Sequence, residues 1–166
     1  MPGILGFTGS STEGPAPTRD QLVLNLESLI ERLQPERIVT GACVGVDSFV
    51  HHFVGRYYPS ILRTVVFPGD TKAVDPTVER DADEVIWMPV GSSYRLRNEK
   101  LVSLSEVFAA FWSGNERSGT FMTMNIAQRK GELPLDNIYG HGLPNEVVRD
   151  RYKDYLRGKS YKGESL

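Results

Sequence analysis

The sequence predicts an α/β fold built on a mostly parallel sheet of five or more strands, with helices on both faces. Two observations carry this. Short apolar runs alternate with helical patterns along most of the chain, and the runs are continuous rather than alternating, as strands buried on both faces require. A third observation is the punctuation: three of the runs end directly in glycine-rich segments that read as turns at the carboxyl end of a strand.

Taken in order, residues 4–8 form a first strand that runs into Gly9-Ser10-Ser11. Thr18 then opens a helix in which Leu22, Leu26, Leu29, Ile30 and Leu33 share one face at 3.6-residue spacing. Thr18 reads as its N-cap, with Gln21 completing a capping box, and Pro35 closes it. Residues 37–40 are a second strand leading into GACVGVD, and residues 46–57 a helix with Phe49, Val50, Phe53 and Val54 as its apolar face. Residues 62–67 are a third strand, ended by Pro68-Gly69. The polar stretch 70–84 holds one helical turn at 76–80 and reads equally as a lid or an interface.

A fourth strand follows at 85–88, a helix at 94–104, a fifth strand at 107–112 and, after SGNERSGT, a helix at 120–130. Residues 145–157 make one more helix, with Gly158 as its stop, and the polar tail beyond is expected to fray. With no repeat, linker or low-complexity segment, residues 1–166 read as one domain with a core over about 3–131.

Composition narrows the function classes. The chain is 40% hydrophobic and 24% charged, as ordinary globular proteins are. It shows neither a basic, apolar leader nor an apolar stretch of membrane-spanning length, so a cytoplasmic protein without a membrane partner is expected. Cys43 is the one cysteine, which rules out an internal disulfide. The net charge of -2 argues against nucleic acid as the main partner, because phosphate backbones select basic proteins.

The glycine segments carry the chemistry. They are Gly6 to Ser11, Thr40 to Asp47 and Ser113 to Thr120. In an open parallel sheet such loops meet at one edge, where ligands bind. Glycine lets backbone N–H groups approach a phosphate, and a helix N-terminus adds its positive end. Each loop alone is equally a plain turn; three together point to a shared ligand edge. Ser118-Gly119-Thr120 at a helix start is the strongest phosphate candidate, with plain capping as its alternative. Arg95 and Arg97 lie two apart on a helix, so at most one faces the site, and Arg97 with Asn98 could grip a phosphate or a base. Asp47 is either a helix cap or an acceptor for ribose hydroxyls. His51 and His52 read as packing or surface residues, since no metal-ligand spacing surrounds them. Neither a metal nor a resident cofactor is expected.

The same segments, in this order, resemble the SMF/DprA–LOG (SLOG) superfamily of Rossmann-like nucleotide-binding domains over residues 3–131. GFTGSS is similar to the group's first glycine turn, TGACVGVDSFVHH to its DprA-type segment, YRLRNEKLVSLSEVFAAFW to its arginine–asparagine helix and strand, and SGTFMTMNIAQRKG to its phosphate loop and helix. The resemblance implies a Rossmann-like three-layer sandwich and a ligand site of Gly9, Ser10, Gly41, Gly45, Asp47, Arg97, Asn98, Ser118, Gly119 and Thr120. It also implies a homodimer. One departure bears on activity: LOG-type phosphoribohydrolases carry a glutamate where this chain has Thr123, and a hydroxyl cannot replace a carboxylate. The expected function is therefore binding of a nucleotide-like small molecule without turnover. The first alternative is a nucleotide N-glycoside hydrolase with an altered acid, with Arg97, Glu116 and Asp47 as catalytic candidates. The second is DprA-like binding of single-stranded DNA, for which Arg56, Tyr57 and Tyr58 are the nearest approach to an aromatic and basic patch.

Overall fold

A computed structural model describes residues 3–10, 19–70 and 72–158. Ser11, the Thr18 cap and the tail beyond Gly158 lie outside the described residues. Six strands form one all-parallel sheet: β1 (Ile4–Gly9), β2 (Arg37–Gly41), β3 (Leu62–Phe67), β4 (Glu84–Trp87), β5 (Val107–Trp112) and β6 (Ile138–Gly140). Their spatial order is β4-β3-β2-β1-β5-β6. The helices are α1 (Arg19–Leu33), α2 (Val46–Tyr57), α3 (Thr77–Arg80), α4 (Tyr94–Ser103), α5 (Gly119–Arg129) and α6 (Asn145–Leu156), with a 3-10 turn at Leu135–Asn137. This is the Rossmann-like three-layer α/β sandwich that the sequence predicts.

The pleat of β5 divides the core between the two faces. Phe108, Ala110 and Trp112 pack with Leu101 and Val102 of α4, Phe121 and Met124 of α5 and Val148 and Tyr152 of α6. Val107, Ala109 and Phe111 point the other way, into a cluster with Leu26, Leu29 and Ile30 of α1 and Val46, Val50, Phe53 and Val54 of α2. A strand buried on both faces shows no polar alternation, which is why VFAAFW is apolar throughout. Helix α1 stops where Gln34 takes a left-handed φ of 45°, directly before Pro35. At the far end, α6 stops at Gly158, whose φ is 79°.

Two differences from the sequence reading have physical causes. Strand β6 has only three residues, too few for any pattern, and forms by pairing with β5 from Ala110 to Trp112. The polar stretch after β3 holds the expected helical turn, as α3, and its described residues are tied down more firmly than their polarity suggests. Its residues Ala73 to Asp75 lie against the segment after β2, with Val44 N–H donating to Ala73 O (2.9 Å), Asp75 N–H to Ala42 O (2.7 Å) and a Cys43–Val74 bridge. Asp75 then accepts from Ser48 and from the Thr77 N–H (2.9 Å) that begins α3. No helix among the described residues is long and apolar enough to cross a membrane.

Candidate functional site

The strand order reverses between β1 and β5. The chain steps outward from β1 to β4, then returns to place β5 on the other side of β1. At such a reversal a crevice opens at the carboxyl ends of the two strands. A cleft of about 380 Å³ lies there. It is lined by Thr8, Gly9 and Ser10 after β1, Cys43 and Asp47 after β2, Ala73, Tyr94, Arg97 and Asn98 of α4, and Asn115, Arg117, Ser118, Gly119, Thr120, Met122 and Thr123 after β5. Eight of the ten expected ligand residues thus meet in one place. Gly41 and Gly45 do not line it.

Arg97 is the central cation. It is 6% exposed, and its three hydrogen bonds go to neutral acceptors: Nε to Asn98 Oδ1 (2.9 Å), Nη1 to Val66 O (3.4 Å) and Nη2 to Cys43 Sγ (3.8 Å). Its guanidinium also lies 5.6 Å from the Tyr94 ring centroid. Among the described residues Asp47 is the one carboxylate that acts on this guanidinium, without a hydrogen bond to it, so an anion in the cleft would add the charged acceptor that Arg97 lacks. Asn98, expected as a ligand group, spends its oxygen on Arg97 and so orients that side chain. Arg95, two residues away, is exposed.

Gly41 makes room for this arrangement. A Cβ at that position would lie 2.5 Å from both Arg97 Nη1 and Asp47 Oδ2. Gly9 serves packing in the same way, because a Cβ there would meet Val46 Cγ1 at 2.5 Å. Gly45 starts α2 with a φ of 94°, a conformation that favours glycine.

Asp47 is 6% exposed and does not cap α2; Gly45 occupies that position. Its Oδ2 accepts one long bond from the Cys43 N–H (3.4 Å). Burial pushes its carboxyl from an ordinary 3.8 up to about 6, against the opposing pull of Arg97 and of that amide. The folded state therefore holds this proton more tightly than the unfolded chain does. Stability falls as pH rises from about 4 through about 6, and the loss is constant above that. Asp47→Asn is expected to raise stability on the order of 2 kcal/mol near pH 7.5 and to leave it unchanged near pH 3.5. Urea denaturation of both proteins at the two pH values checks this.

Cys43 also lines the cleft, where burial and the Asp47 charge push its thiol up, beyond what Arg97 restores, and so disfavour the thiolate.

The start of α5 supplies the anion donors. Ser118 caps it by accepting from the Phe121 N–H (3.1 Å), and its own hydroxyl donates to Asn115 O (2.8 Å). The side chain is thereby committed to the turn, while Gly119 and Thr120 line the cleft and their first-turn amides have no intrahelical partners. A Cβ at Gly119 would meet nothing within 4 Å. Gly119→Val is accordingly expected to leave the melting temperature within about 2 °C of wild type and to abolish anion binding by filling the cleft. Thr123 donates to Gly119 O (2.9 Å) and brings no charge.

The remaining candidates lie elsewhere. Glu116 lines a neighbouring cavity with Gly114, Asn115, Arg117 and Arg151 rather than the Arg97 cleft. Arg56, Tyr57 and Tyr58 sit at the end of α2 nearer the opposite edge of the sheet, where Tyr57 and Tyr58 share a groove with Arg19 and Glu27. His51, His52 and Asp81 bring three potential metal-binding atoms within 4.8 Å of one another. Arg63, however, stands among them, its Nη1 3.2 Å from His51 Nε2 and 3.3 Å from Asp81 Oδ2. That guanidinium repels a cation and makes the group a hydrogen-bonded network. Arg117 is the residue that sequence reasoning missed; its one signal is a cation directly before Ser118-Gly119-Thr120. Neither a scan of protein-family models nor a search of curated proteins finds a match to the chain.

Proposed function

We propose that the protein binds a phosphate-bearing nucleotide or nucleotide-derived ligand at the carboxyl edge of its sheet, without turnover, as a domain of the SMF/DprA–LOG type. The observation that carries this reading is Arg97, a buried guanidinium with neutral hydrogen-bond partners on the wall of a cleft that also holds the first-turn amides of α5. Fixed donors of both kinds favour an anion, and a phosphate offers enough acceptor oxygens for both. The absence of a carboxylate at Thr123 supports binding over cleavage.

One observation favours a second reading. Asp47 is a buried cleft carboxyl whose proton leaves near pH 6, the range in which an acid or base assists cleavage of a glycosidic bond. The two readings separate in a thermal-shift screen of nucleoside mono-, di- and triphosphates and cyclic nucleotides, with product analysis of each hit. A ligand specific to the folded state raises the melting temperature. A shift with the ligand intact supports the binding reading. Free base, lost in Asp47→Asn, replaces it with the hydrolase. No shift with any nucleotide, together with salt-sensitive binding of single-stranded DNA, would overturn both.

A further inference from the structure

Two opposite charges share the cleft without joining. A Cβ placed on Gly41 would lie 2.5 Å from Asp47 Oδ2 and 2.5 Å from Arg97 Nη1, so the two atoms are within about 5 Å of each other. Their hydrogen bonds nevertheless go elsewhere: Arg97 donates to Asn98, Val66 and Cys43, and Asp47 accepts only the long bond from the Cys43 N–H (3.4 Å). Both residues line the cleft and each is 6% exposed, so little water screens one from the other. Asp75, on the segment that lies against the turn after β2, shows the contrast. Its Oδ1 accepts from the Thr77 N–H (2.9 Å) and hydroxyl (2.7 Å), and its Oδ2 from the Ser48 hydroxyl. The Ser48 bond, with those from Thr77, holds the Asp75 carboxyl below its ordinary range. Asp75 is built to stay charged; Asp47 is not.

An anion on Arg97 changes the surroundings of Asp47. It takes over the guanidinium's field and places a second negative charge roughly 4–6 Å from the carboxylate, a range at which like charges favour the protonated form. We propose that Asp47 is a displaceable counter-ion: an oxyanion that binds at Arg97 drives a proton onto Asp47, and the site takes up anion and proton together. This rests on the anion site of the proposed reading and adds its regulation by pH. Binding is tightest where Asp47 is already protonated. It weakens as pH rises through about 6, where the empty site loses that proton, and levels off once the bound site has lost it too. The other titratable groups of the cleft stay out of this range. Burial pushes the Cys43 thiol and the Tyr94 phenol up and away from it, and the guanidinium groups of Arg97 and Arg117 keep their charge. On α2 itself, His51 and His52 meet Asp81, Arg63 and Asp75 rather than Asp47, and their protonation is common to wild type and Asp47→Asn.

Sulfate is the probe, because its double charge is fixed near neutral pH, whereas a phosphate monoester itself titrates near pH 6. The full chain, with carbon-13 in its aspartate carboxyls, is titrated with acid and base at constant ionic strength, with and without sulfate. The Asp47 resonance is the one missing from Asp47→Asn, and far-ultraviolet circular dichroism establishes that this variant folds. Sulfate is expected to move the Asp47 midpoint up by at least about one pH unit, which by linkage makes sulfate bind about 10-fold more tightly near pH 5 than near pH 8. Asp47→Asn is expected to bind sulfate equally at both, and near pH 8 about 10-fold more tightly than wild type. Sulfate binding with an unmoved Asp47 midpoint would overturn the counter-ion and leave the anion site standing. Weaker binding by Asp47→Asn near pH 8 would do the same, since it would make Asp47 a ligand group. Failure of sulfate to bind at either pH would overturn both.

Discussion

Arg97→Ala is expected to weaken nucleotide binding by about 2–5 kcal/mol, the cost of truncating one partner of a buried, hydrogen-bonded charge pair. The side chain is fixed before the ligand arrives: Asn98 holds Nε at 2.9 Å, and the Val66 carbonyl and the Tyr94 ring confine the rest. Little conformational entropy is left to lose on binding, so most of the interaction reaches the measured affinity. Arg97→Lys separates charge from geometry. It keeps the cation but loses the planar fork, and intermediate affinity is expected. Titration calorimetry with the best nucleotide from the screen reads both variants. Unchanged affinity in a well-folded Arg97→Ala protein would remove Arg97 from the site. The same variant takes away the one cation that lowers the Asp47 proton affinity, so its apparent pKa should rise above about 6.

Trp112→Ala is expected to destabilise the fold by about 3–5 kcal/mol, the range for emptying a buried aromatic site. Trp112 is fully buried at the end of β5. It stacks on Phe121 at 5.2 Å between centroids and meets Tyr152 edge-on at 6.0 Å, so it joins the sheet to both α5 and α6. Its indole N–H also holds the Asn115 carbonyl, the hinge of the loop after β5. Trp112→Phe keeps most of the packing and deletes that bond, which contributes about 1 kcal/mol to stability. If the loop positions the donors as described, Trp112→Phe lowers ligand affinity although residue 112 touches no ligand. Equal affinity in Trp112→Phe and wild type would show that the loop holds its shape without the indole.

The sheet was legible because its central strands are buried on both faces, so VFAAFW carries an unbroken apolar signal and LRTVVF ends in one at Val65 to Phe67. Helix α4 was harder. YRLRNEKLVS has little apolar stripe, since Arg97 and Asn98 occupy buried positions that a sequence pattern assigns to solvent. Within the site, the glycine turns were visible, but their individual tasks were not. Gly9 answers to Val46 and Gly41 to Arg97 and Asp47, contacts between segments that only the folded sheet brings together. Ser118 has the form of a phosphate ligand, and its oxygen is used for capping. Arg117 carries only the weak signal of its place before Ser118-Gly119-Thr120; a single cation in a polar loop reads as solvated until the two cavities that it lines are seen.

The strand order sets a timetable for the growing chain. Leu5 pairs on one side with Ile38 and on the other with Val107. One side of β1 is filled early in synthesis, while the other keeps its N–H and C=O groups unmatched until most of the chain has emerged. An open apolar edge of that kind invites pairing with other chains. No ligand can shield it during that interval, since the Gly119 and Thr120 amides follow β5 in the sequence. On the proposed reading a nucleotide would stabilise the finished protein and not the nascent one, and truncations ending before Val107 should aggregate whether or not ligand is supplied.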